Sequence, residues 1–227
     1  MKIRSIKCYH KIFSPSITID FSSNNDDLNG VFCIYGNANS GKSLLLNTIA
    51  NRWSHHVFSE DDLQESYALM DIEFDLDRIG ILSVSRTHSP SVNRKKIKDH
   101  SKINESTIYG SILYYPINRC FLAEDNTFDS GSTASGVFTI CSDIRSRKIQ
   151  NSVILIDDVD FKMNSDDFSS FYRFLCDFAK KNNNQIITSI SDIEKYSLFD
   201  HSKRFTTDVE TDIINDIVSG KIEIHEY

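Results

Sequence analysis

No stretch of this sequence approaches the ~18 consecutive apolar residues that a membrane-spanning helix requires, so no membrane association is expected. The opening residues, Met1, Lys2, Ile3 and Arg4, lack the long apolar run of a secretory signal. An excess of positive charge is missing too: 25 lysines and arginines face 32 aspartates and glutamates, for a net charge of -7. That balance argues against a protein that coats nucleic acid non-specifically. Cysteine offers no framework. Cys8, Cys33, Cys120, Cys141 and Cys176 are odd in number and show no Cys-x-x-Cys spacing. Buried free thiols in a reducing compartment are the expectation, rather than disulfides or a zinc site. Proline occurs only three times and glycine eight, and there is no internal repeat, heptad run or low-complexity tract. These absences leave a cytoplasmic globular protein.

What is present fits one compact domain over residues 1–227, with 40% hydrophobic and 25% charged residues. Residues 1–9 and 16–21 alternate as strands do. The continuous apolar run 31–35 reads as a strand buried on both faces, followed by a glycine-rich turn and a helix over 42–52. Residues 67–75 and 79–85 read as a hairpin. The lysine-rich segment 86–106 reads as a mobile basic loop. Further on, the pattern predicts a strand at 111–115, a helix over 132–147 and a second buried strand at 153–156. Phe168, Phe171, Tyr172, Leu175 and Phe178 recur at helical spacing within 167–181, so their aromatic rings are assigned to the core. A last strand follows at 185–188. Antiparallel strands early and β-α-β order later predict an α/β fold, a mixed sheet flanked by helices with an N-terminal antiparallel β portion.

The strongest motif lies at the end of the first buried strand. Gly36, Asn37, Ala38, Asn39, Ser40, Gly41, Lys42 and Ser43 match G-x-x-x-x-G-K-[ST] in full, and Leu44 continues into the helix. Strand, loop and helix are the context this chemistry needs. Backbone N–H groups of such a loop and of the helix N-terminus converge on a phosphate. Gly41 allows close backbone approach. Lys42 is expected between the β- and γ-phosphates, and Ser43 on Mg²⁺. The second buried strand delivers Asp157 and Asp158 at its C-terminal end, where ligands sit in α/β sheets. Asp157 is assigned to hold Mg²⁺ through water, and Asp158 to orienting or deprotonating the attacking water. The acidic strand is expected beside the loop strand. The guanine-reading Asn-Lys-x-Asp pattern is absent, which favours adenine and hence ATP.

With these residues in view, the sequence resembles the ABC-type P-loop ATPases of the RecF/SMC/OLD group. The opening strands, the loop, Tyr114, Tyr115, Pro116 and Arg119, and a worn signature at Asp129, Ser130, Gly131 and Ser132 carry the resemblance. It implies an ABC-like head that dimerises, or forms a higher oligomer, around ATP and Mg²⁺. Ser130 and Gly131 would then act in trans on a nucleotide held by the other copy. The alternative for that pair is a simple turn capping the following helix. Asp160 stands near the family's D-loop, and Lys11 in a turn that approaches base or ribose. Three departures point to slow hydrolysis, or to a non-hydrolysing nucleotide-sensing module that binds ATP chiefly to dimerise: Asp158 replaces the usual glutamate, Ile190 is assigned the place of a switch histidine, and the signature is incomplete. Residues 50–128 are too short for coiled-coil arms, so a separate effector protein is expected, in antiphage defence or DNA maintenance by analogy. Arg94, Lys95, Lys96, Lys98 and Lys102 form the densest basic run. It reads either as a solvated loop or as a grip on nucleic-acid phosphates.

Overall fold

The computed structural model describes residues 1–13, 16–22, 27–54, 69–76, 81–84, 92–93, 112–116, 133–160 and 163–207. In chain order its elements are β1 (Lys2–Tyr9), β2 (Ser16–Asp20), β3 (Gly30–Tyr35), α1 (Lys42–Ser54), β4 (Leu69–Asp75), β5 (Ile81–Val84), β6 (Val92–Asn93), β7 (Ile112–Tyr115), α2 (Thr133–Ser146), β8 (Val153–Ile156), α3 (Ser165–Lys181), β9 (Gln185–Ile190), α4 (Ile193–Tyr196) and β10 (Arg204–Thr206). The segment 86–106, with its basic run, lies outside the described residues except for β6, and so do Ser130 and Gly131. Among the described residues no helix is long and apolar enough to cross a membrane.

The strands form two sheets, not the one mixed sheet expected. The alternating N-terminal segments make an antiparallel sheet in the order β2-β1-β4-β5-β6. The continuously apolar β3, β7 and β8, with β9 and β10, make a wholly parallel sheet in the order β10-β3-β9-β8-β7. The division follows burial: a strand covered on both faces reads as an unbroken apolar run, while a half-covered one alternates. The hairpin of β4 and β5 pairs Ile72 with Val84 and Asp75 with Ile81, as its alternation predicts.

Each face of the parallel sheet has its own core. Phe32, Ile34, Val153, Leu155 and Ile187 point to one side, where they meet Leu45, Leu46 and Ile49 of α1 and Ile3, Ile6 and Phe74 of the antiparallel sheet. Val31, Cys33, Ile154, Ile156, Ile186 and Ile190 point to the other, against α2, α3 and α4. Gln185 fastens the two sheets together. Its amide Nε2 donates to the Ile3 carbonyl at 2.9 Å, and its Oε1 accepts the Ile3 N–H at 2.6 Å, all buried.

Helix α3 starts earlier than its apolar spacing suggests, because Asn164 caps it. The Asn164 side chain accepts the Asp167 N–H at 2.8 Å and donates back to the Asp167 carboxylate. Phe168, Phe171 and Leu175 are buried as expected, Tyr172 and Phe178 half-buried. Helix α2 docks on β7 through the Tyr115 hydroxyl, which donates to Asp143 at 2.7 Å. Burial opposes the charge on Asp143, but bonds from Tyr115 and Arg147 outweigh it and hold the carboxyl below its ordinary value. Cys8, Cys33, Cys141 and Cys176 are free thiols. Burial raises Cys33 and pushes Cys141 up to about 11.

Candidate functional site

The phosphate-loop sequence leaves the C-terminal end of β3 and enters α1. Its first residue is tied to the neighbouring strand, with the Gly36 N–H donating to the Ile190 carbonyl at 3.2 Å. The loop closes on itself through Ser40 N–H to the Asn37 carbonyl, and Asn39 and Gly41 both carry positive φ, 65° and 92°. Asn37, Ala38, Asn39 and Ser43 are exposed, while Leu44 packs partly on the core. Lys42 is nearly buried. Its ammonium lies inside the loop, donating to the carbonyls of Gly36 at 2.6 Å and Asn37 at 3.0 Å.

Both glycines of the motif answer to neighbours within the protein. A Cβ at Gly41 would stand 2.7 Å from the Phe13 ring and 3.0 Å from Ile12. Those two residues belong to a single 3₁₀ turn, Lys11–Phe13, so the turn headed by Lys11 packs directly on the loop. A Cβ at Gly36 would collide with the Thr207 and Ser40 hydroxyls. Thr207, just past β10, donates to Ser40 Oγ at 2.7 Å and braces the loop from behind.

The acidic end of β8 is not beside β3, as the sequence reading had it. β9 lies between them. The ends of β3 and β8 are therefore two strand spacings apart, about 10 Å. Asp157 shares its face with Leu155, toward α1, and is 2% exposed. The hydroxyl of Ser189, at the end of β9, donates to Asp157 Oδ1 at 2.5 Å. The same hydroxyl accepts the Asp158 N–H at 2.6 Å. Tyr114 of β7 brings its hydroxyl to 3.5 Å from Asp157 Oδ2. Asp158 turns the chain with a φ of 49°, a left-handed conformation that aspartate tolerates better than most residues. Its Oδ1 accepts from the Ser191 hydroxyl at 3.2 Å.

Ile190 does not face this site. It is the last residue of β9, fully buried against the helices on the opposite face, because side chains alternate along a strand. The first residue beyond the strand is Ser191, and its hydroxyl reaches the acidic pair instead. Asp160 is buried next to them. Its Oδ2 accepts the N–H groups of Ser191 at 3.1 Å and Asp192 at 2.7 Å, while Oδ1 has no hydrogen-bond partner among the described residues. Burial raises its carboxyl above the ordinary value, and the nearby Asp158 charge adds to that.

The structure thus brings Gly36, Asn37, Ala38, Asn39, Ser40, Gly41, Lys42, Ser43 and Leu44 to one end of the parallel sheet, with Asp157 and Asp158 at the same end. Sequence reasoning missed Ser189, Ser191 and Thr207, and noted Tyr114 only as part of the family resemblance. A usable signal existed for Ser189. It interrupts an apolar strand on the parity of Ile187, where an aliphatic residue would be expected unless a polar group faced it.

No family model matches the chain, and no curated protein matches it. Among solved structures, an SMC head bound to the C-winged helix domain of ScpA is similar at 10% identity, over 84% of this chain and 90% of that one, with a TM-score of 0.49. An SMC head domain from Thermotoga maritima is similar at 14% identity, over 86% and 92% of the two chains, with a TM-score of 0.47.

Proposed function

We propose that this protein binds ATP with Mg²⁺ at the loop of residues 36–43 and hydrolyses it slowly. The observation that carries the reading is the shared location of the complete phosphate-loop motif and the Asp157–Asp158 pair at the C-terminal end of one parallel sheet. The exposed Ser43 hydroxyl and the Asp157 carboxylate are hard oxygen donors of the kind Mg²⁺ takes. Bound Mg²⁺ would neutralise charge on the phosphates as the bond breaks. Lys42 would exchange its loop carbonyls for phosphate oxygens. The N-terminus of α1 and the loop N–H groups would hold the β-phosphate. Asp158 would orient the attacking water, with its second oxygen, since Ser191 occupies Oδ1.

The sequence resemblance extends the proposal. Two such heads would close on ATP, with Ser130 and Gly131 of one copy meeting the nucleotide of the other, and ATP-driven assembly would regulate a separate effector in antiphage defence or DNA maintenance. A second reading is a nucleotide-sensing module without turnover. The short Asp158 side chain, held by Ser191, favours it. Phosphate release under saturating ATP and Mg²⁺ distinguishes the two. Hydrolysis that disappears in Lys42→Ala and falls at least tenfold in Asp158→Asn supports the enzyme, by removing phosphate binding and water orientation respectively. Wild-type release no faster than that of Lys42→Ala, together with ATP-dependent assembly, supports the sensor.

A further inference from the structure

We infer that Ser189 is the positioning residue of the acidic pair, setting which oxygen of Asp157 is presented to the cation. The inference rests on the Mg²⁺–nucleotide reading of the site. Ser189 is fully buried at the end of the strand that separates the loop strand from the acidic one. A serine hydroxyl has one proton, and here it is committed to Asp157 Oδ1 at 2.5 Å. A lone pair of the same oxygen takes the Asp158 N–H at 2.6 Å. The Ser189 carbonyl accepts the Val159 N–H at 3.1 Å. Residues 157, 158 and 159 are thus all bonded to this one residue. The hydroxyl cannot rotate without abandoning a buried partner, so Asp157 is held with Oδ1 occupied. Oδ2, which among the described residues meets only the Tyr114 hydroxyl at 3.5 Å, is the oxygen left to receive a cation.

Partners that orient a carboxylate ligand tune metal affinity, and removing one typically weakens it 10–100-fold. A purely structural serine would leave that affinity alone. The test titrates Mg²⁺ into wild type, Ser189→Ala, Ser189→Thr and Lys42→Ala, each with a fluorescent ATP analogue, and follows thermal unfolding alongside. Wild type and Ser189→Thr, which keeps the hydroxyl, are expected to tighten on the nucleotide at similar Mg²⁺. Ser189→Ala is expected to need about tenfold more Mg²⁺ for half of that effect, with unchanged nucleotide affinity in EDTA. If Ser189→Ala does not fold, Ser189→Cys, similar in size but a weak donor, carries the same expectation. An unchanged Mg²⁺ requirement in a folded alanine or cysteine variant overturns the inference. Nucleotide binding that survives Lys42→Ala undiminished overturns the parent reading instead, and this inference with it.

Discussion

A methyl group at position 41 would meet the Phe13 ring at 2.7 Å, on a backbone whose φ is 92°. The loop glycine is therefore demanded twice, by conformation and by the turn of Lys11–Phe13. Strain at positive φ costs about 1–2 kcal/mol, and overpacking costs about 1–3 kcal/mol more. Gly41→Ala should lower stability by about 2–5 kcal/mol in urea unfolding. Adding Phe13→Ala should then cost less than it does in a wild-type background, because it relieves the collision that the added methyl creates, while the φ strain remains. Strict additivity of the two changes would show that the ring does not press on the loop. The sequence motif made Gly41 legible as a phosphate-site residue, since the motif is contiguous. It could not reveal Phe13, whose contact depends on how a distant turn folds back. Ser189 and Thr207 were hidden for the same reason: their partners lie 32 and 167 residues away in the chain.

Elements were legible where a single periodicity ruled. The continuous run of β3 and the spacing of α3 each reflect one burial environment, and both formed close to the expected bounds. The helix start was missed because a cap is a polar event that apolar spacing does not register. The separation into two sheets was missed because strand order is set by pairing, not by local pattern. The same holds for β9 between β3 and β8. Ile190 was misassigned because β9 runs two residues past its expected end, so alternation turns Ile190 to the helices and leaves Ser191 as the first residue at the site. Gln185 is a buried polar tie between the two sheets, added to their shared apolar core. Gln185→Leu keeps the volume but strands the buried N–H and carbonyl of Ile3. Each orphaned group costs about 1–3 kcal/mol, so the variant should lose about 2–6 kcal/mol, seen as a lower urea midpoint. A loss below about 0.5 kcal/mol would mean the clamp is replaceable by packing.

For the molecule as a whole, acid–base behaviour should carry the mark of Asp160. Its folded carboxyl binds a proton more tightly than the ordinary value of 3.8, chiefly because it is buried. The folded state gains from that proton below the ordinary value, and the gain is lost as pH rises through the raised one. Asp160→Asn cannot ionise, and its amide oxygen can still accept from Ser191 and Asp192. The stability of Asp160→Asn relative to wild type should therefore increase as pH goes from below 3.8 to neutrality. Thermal midpoints measured across that range check it, and a difference independent of pH would refute it.

β9 is pinned at both ends, by Gln185 to the antiparallel sheet and by Ser189 to the acidic turn. The four residue steps between these pins therefore act as a spacer of fixed length, about 13 Å. A spacer of this kind tolerates exchange of side chains but not a change in count. One residue more or fewer between the two pins would turn the hydroxyl at the far end to the helix side of the sheet, and bring an aliphatic chain against Asp157. Length, rather than composition, is what this strand must keep.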